Sequence, residues 1–84
     1  MRVKVRLFAR LRETAGVSDC DVDVALDATV DDVWHSLTER YPALEPYRDS
    51  TTAAVNADFA KRTHRVAEGD EIAFLPPVSG GGTR

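Results

Sequence analysis

Three glycines stand together at Gly80, Gly81 and Gly82, just behind a Pro76-Pro77 pair, in an 84-residue chain that has only five glycines. On composition alone such a run is a flexible tail without chemistry. The other reactive side chains are scattered. Cys20 is the lone cysteine, so no internal disulfide framework exists. It could serve as a nucleophile, but its place in an alternating segment reads better as a strand-core residue. His35 and His64 are far apart and give no zinc spacing with Cys20, so both read as solvated surface residues and no metal is expected. Asp19, Asp21 and Asp23 superficially suggest a calcium site, yet alternation along a strand sets carboxylates on a ladder rather than around an ion. No acid–base pair and no nucleophile–base arrangement emerges, so the chain reads as a non-enzyme.

The elements that must carry these residues follow from patterning. Val3, Val5 and Leu7 alternate with Arg2, Lys4 and Arg6, the period of a half-buried strand. Cys20, Val22, Val24 and Leu26 alternate with acids, predicting a second strand antiparallel to the first. A cationic row then faces an anionic row, which favours one register although each exposed pair is worth under ~1 kcal/mol. Ala9 to Gly16 predicts a short helix closed by glycine. Thr29, with Asp32 three residues on, predicts the N-cap of a longer helix. Its buried stripe is Val30, Val33, Trp34, Leu37 and Tyr41, and Pro42 ends it. Residues 43–52 read as a surface connection anchored by Leu44. Ala53–Val55 reads as a short strand before a turn at 56–58, residues 61–65 as a basic loop, and Glu71–Leu75 as the last strand. Pro76 and Pro77 must stop that strand, because neither offers an N–H to a ladder. The expectation is one α+β domain over residues 1–77, a mixed sheet of four to five strands crossed by one main helix, and a flexible tail over 78–84.

Bulk properties narrow the function classes. The net charge is −3, which argues against general nucleic-acid binding. No apolar run approaches the ~18 residues of a membrane span, and Met1–Arg10 lacks a signal peptide's apolar core, so a cytoplasmic protein is expected. A single domain this small has little interior to spare for a deep substrate pocket, which favours a carrier or binding module.

The segment Gly69-Asp70-Glu71-Ile72-Ala73-Phe74-Leu75-Pro76-Pro77-Val78-Ser79-Gly80-Gly81 closely resembles the C-terminus of the MoaD/ThiS family of sulfur carriers. Leu7 to Glu13, Ala28-Thr29-Val30 with Leu37, Tyr41-Pro42-Ala43-Leu44 and Ala54-Val55-Asn56 extend the resemblance over about residues 3–81. Small archaeal modifier proteins share this ending. The resemblance implies a ubiquitin-like β-grasp fold and a terminal-glycine mechanism. An E1-like enzyme would use ATP to adenylate the last glycine, and a sulfur donor would convert it to a thiocarboxylate. The large subunit of molybdopterin synthase would receive the sulfur for molybdenum-cofactor synthesis. In a modifier, lysines of target proteins would attack the same carbonyl. The carrier itself would bind no cofactor.

Glycine suits such a tail, since without a Cβ the backbone can be approached closely. Pro76 and Pro77 would stiffen the exit, and Val78, Ser79, Gly80 and Gly81 would enter the partner, Ser79 to Gly81 spanning roughly 10 Å when extended. The family pattern ends at Gly81, whereas here Gly82, Thr83 and Arg84 follow. A processing protease acting after Gly81, or after Gly82 in a shifted register, would expose the reactive terminus; a stretch not native to the protein is the other explanation. Strand parity finally turns Phe8 and Leu75 outward. With Phe59 from the turn they would form an apolar partner-docking patch beside the tail.

Overall fold

The computed structural model describes residues 1–77. The chain runs β1 (Arg2–Leu7), α1 (Ala9–Ala15), β2 (Asp19–Asp23), α2 (Val30–Arg40), a 3-10 helix (Pro42–Ser50), β3 (Thr52–Val55), β4 (Asp58–Ala60) and β5 (Glu71–Leu75). The five strands form one sheet in the order β2-β1-β5-β3-β4. Central β1 and β5 are parallel and every other pairing is antiparallel. This is the expected β-grasp arrangement.

The first pair has the register its charges predict, with Arg2 opposite Asp23, Lys4 opposite Asp21 and Arg6 opposite Asp19. Only Arg2 closes an ion pair within that row, at 3.2 Å; Arg6 turns to Glu71 on the other neighbouring strand, at 3.4 Å. The alternate residues Val3, Val5, Leu7 and Val22 are buried. The alternation ends sooner than expected. β2 stops at Asp23, Val24 N–H still donates to the Met1 carbonyl at 2.8 Å, and the chain then turns, leaving Leu26 82% exposed. Periodicity carried past a turn extended the expected strand to Leu26, beyond its end at Asp23. Cys20 does face inward but is only half-buried, because β2 is an edge strand.

α2 starts at a complete capping box. Asp32 N–H donates to Thr29 Oγ1 at 3.2 Å, and Thr29 N–H donates to Asp32 Oδ2 at 2.9 Å. Its buried face, Val30, Val33, Trp34 and Leu37, lies over the sheet, and the Trp34 and Phe74 rings meet edge-on at 5.0 Å. Tyr41 caps the helix and is half-buried.

Residues 42–50 are not a plain surface connection. They form a nine-residue 3-10 helix that packs on both α1 and α2 through fully buried Leu44. Pro42 opens it rather than merely ending α2, since a proline is tolerated where a helix begins. An ionic clasp fixes it. Arg48 Nη2 reaches both Asp31 oxygens at 2.7 and 2.8 Å, and Arg62 Nη1 reaches Asp31 Oδ1 at 3.3 Å. One half-buried carboxylate thus joins the start of α2, the 3-10 helix and the segment after β4.

Candidate functional site

The sheet has one face under α2 and one face free. Cross-strand register defines the free face row by row. One row reads Asp19, Arg6, Ala73, Ala54, Phe59 across all five strands. The next row, toward the end of β5, pairs Leu75 with Thr52. Carried one residue past the last paired positions, the same registers set Phe8 beside Leu75 and Lys61 beside Thr52. The Arg6 guanidinium lies 5.6 Å from the centre of the Phe8 ring, as expected for residues two apart on one extended face.

Phe8, Leu75 and Phe59 are therefore together on the free face at its C-terminal end. Their exposures differ: Phe59 is 81% exposed, whereas Phe8 and Leu75 are half-buried. Phe59 sits on the short edge strand β4 rather than in a turn. Ala54 and Ala73 join the three residues into one apolar strip. Their outward parity was a readable sign of this, but alanine is too small to stand out in a hydropathy pattern.

Pro76 and Pro77 follow Leu75 directly, so the chain leaves the sheet at the rim of this strip. They form one wall of an open cleft of about 460 Å³, whose other walls are Ala9, Arg10 and Glu13 of α1 and Tyr47 and Ser50 of the 3-10 helix. Ala9 has φ of 50°, a left-handed conformation costly for a residue with a Cβ, at the β1–α1 junction beside Phe8. Val78, Ser79, Gly80, Gly81 and Gly82 lie outside the described residues.

Two further features brace the sheet away from this end. Asn56 links the β3–β4 turn to the start of β5. Its N–H donates to the Glu71 carbonyl at 2.8 Å, its Oδ1 accepts from Glu71 N–H at 3.0 Å, and its Nδ2 donates to Asp70 Oδ1 at 3.0 Å. Asp70 Oδ2 in turn accepts from Ala67 N–H at 2.7 Å. On the opposite edge, Arg40 Nη1 donates to the Asp21 carbonyl at 3.0 Å, covering an edge-strand acceptor.

The remaining reactive groups do not converge here. Burial pushes the Cys20 thiol up, against the weaker opposing pull of Arg40, so it is not an activated nucleophile. His35 is exposed on α2 with its Nε2 3.5 Å from Glu39, and His64 is exposed in the segment before β5. Asp19, Asp21 and Asp23 run along β2. Among the described residues no group of three or more His, Cys, Asp or Glu is placed to hold a metal ion, and no helix is long and apolar enough to cross a membrane.

A family model described as the ThiS family matches residues 5–81. The chain is 35% identical to a molybdopterin synthase sulfur carrier subunit from Arabidopsis thaliana, covering 96% of this chain and 84% of that protein. It is 40% identical to small archaeal modifier protein 1 of Haloferax volcanii, covering 90% and 97%. The crystal structure of that modifier superposes with a TM-score of 0.87 at 39% identity, covering 96% of this chain and all of the other. Both relatives are named for a carrier or modifier role rather than for catalysis.

Proposed function

The chain belongs to the ThiS family, and on that premise we propose that it is a sulfur carrier for molybdopterin synthesis, not an enzyme. Its reactive group is the carboxylate of Gly81, once residues 82–84 are removed; in a shifted register the terminus is Gly82. While residues 82–84 remain, the Gly81 carbonyl is tied in a peptide bond and offers no carboxylate. Where those residues belong to the native protein, a processing protease acts first.

The chemistry then runs on partner enzymes. An E1-like enzyme lets the glycine carboxylate attack the α-phosphorus of ATP, and pyrophosphate leaves. A sulfide-level donor delivers HS− to the resulting acyl carbon, AMP leaves, and after loss of one proton a thiocarboxylate remains. The large subunit of molybdopterin synthase receives that terminus and passes the sulfur to a pterin precursor. The carrier holds no cofactor; ATP is consumed by the activating partner, in the cytoplasm.

The observation that carries this reading is where the chain leaves the sheet. Leu75 lies in the free-face row beside Thr52, and Pro76 follows it at the strip's rim. A partner that grips Phe8, Leu75 and Phe59 meets Pro76, Pro77, Val78 and Ser79 next, and Gly80 and Gly81 reach roughly 7 Å further in. Gripping the domain thus delivers the glycine, and a small domain needs no active site of its own. A direct test expresses the chain ending at Gly81 in cells that lack their own molybdopterin synthase small subunit. Restored molybdenum-cofactor activity is expected, and the same chain ending at Gly80 should restore none.

A second reading has its own support. The modifier relative matches nearly the whole chain at 40% identity. In that role a target lysine attacks the acyl-adenylate, AMP leaves, and an isopeptide bond forms. Glycine-remnant lysines on other proteins, detected by peptide mass spectrometry, would identify it.

A further inference from the structure

We propose that Lys61 makes the docking face selective for a protein partner bearing a carboxylate beside its apolar pocket. This rests on the docking role of the Phe8, Leu75 and Phe59 strip.

Register sets Lys61 level with Thr52 and Leu75, in the last row before the chain leaves the sheet. It follows Phe59 by two residues, about 7 Å on for an extended chain and just past the end of β4, and by the same register lies two strand spacings, about 10 Å, from Leu75. Lys61 and Phe59 are both exposed. Lys61 therefore stands on the rim of the apolar strip, where partner contacts remain partly solvated.

Among the described residues its charge is the one left uncommitted at that rim. Arg6, on the other flank, is 3.4 Å from Glu71 and lies against Phe8. Arg62, the next residue, turns away to Asp31 and to the Thr51 carbonyl, the latter at 3.1 Å. Arg10 is within 4.0 Å of Glu13. Among the described residues no carboxylate lies within ion-pair distance of Lys61, and positions 59–67 contain no Asp or Glu. The chain as a whole carries −3. An acidic partner surface is thus repelled by the molecule at large and attracted at this rim, which orients the encounter. Arginines already locked to carboxylates cannot supply that orientation, because their fields are largely cancelled.

The test measures binding of the chain ending at Gly81 to immobilised molybdopterin synthase large subunit, with a thermal melt for every variant. At about 0.05 M salt, Lys61→Glu should lower the association rate about tenfold with little change in dissociation, and Lys61→Arg should bind like wild type. Near 0.5 M salt the Lys61→Glu deficit should shrink to within about twofold, as screening shortens the field's reach. Lys4→Gln, an exposed lysine two rows away, should change little at either salt. Phe59→Ser separates the two layers of the argument. If it abolishes binding while Lys61→Glu associates normally at low salt, the docking strip stands and the role of Lys61 is overturned. A Lys61→Glu deficit that is independent of salt overturns it as well. If Phe59→Ser binds like wild type, or the wild-type chain does not bind, the docking reading and this inference fall together.

Discussion

Phe59 and Cys20 show how much single residues disclosed in advance. Both lie on edge strands, and an edge has only one paired neighbour to cover a side chain. Cys20 was legible as an inward residue from its alternation with aspartates, but alternation says nothing about how far a strand lies from the sheet's centre. Its thiol is pushed up by burial. A thiol raised in the folded state contributes stability that is fully present below the ordinary value of 9.0 and is lost as pH rises through the folded value. Stability of the wild type should therefore fall more steeply above about pH 9 than that of Cys20→Ser, measured by denaturant unfolding across pH. Alkylation of the native thiol at neutral pH should also be slower than in the unfolded chain. Phe59 was legible as an outward patch residue, but as part of a turn rather than of a strand. A strand of three residues leaves too short a pattern to be read as one. Exposed as it is, Phe59→Ser should leave stability within about 0.5 kcal/mol of wild type, while weakening large-subunit binding at least tenfold, as loss of a large apolar contact residue does.

At the scale of elements, the turn between β3 and β4 carries visible strain. Asn56 and Ala57 have φ of 50° and 76°. This two-residue hairpin geometry favours asparagine followed by glycine, and alanine in the second position opposes it. Ala57→Gly should stabilise the protein by about 0.5–1 kcal/mol, since the relief of a left-handed alanine slightly exceeds the extra entropy of an unfolded glycine. A lowered melting temperature would contradict the assignment. Thr29→Ala removes half of the capping box and should cost about 1 kcal/mol. Both of the long helix's end signals were legible, because capping is local chemistry between residues three apart. The 3-10 helix at Pro42–Ser50 was not. Pro42, Pro46 and exposed polar residues carry no regular apolar period, and the element is held by contacts far away in sequence, namely the Asp31 clasp and the burial of Leu44. Asp31→Asn should accordingly lower the melting temperature, leaving Arg48 and Arg62 with a weaker shared acceptor, the effect shrinking at high salt.

At the scale of the whole molecule, the proposed function makes the described domain a handle. Its core of Val, Leu, Ile, Trp34 and Phe74 holds a parallel β1–β5 pair at the centre, and β5 delivers the chain to the rim of the apolar strip. Strand parity let Phe8 and Leu75 be placed on the free face from the sequence. Phe59 was grouped with them as a turn residue, but the bridge of Ala54 and Ala73 that joins the three needed the strand order, which sequence spacing does not encode. The central claim concerns the terminus that this arrangement presents. It is tested most directly by incubating the chain ending at Gly81 with its activating enzyme, ATP and a sulfur donor, then weighing the intact protein. The account predicts that one terminal oxygen is replaced by sulfur, that the change requires ATP, and that it does not occur when residues 82–84 are retained. An unchanged mass in the presence of an enzyme that activates a known carrier would contradict it.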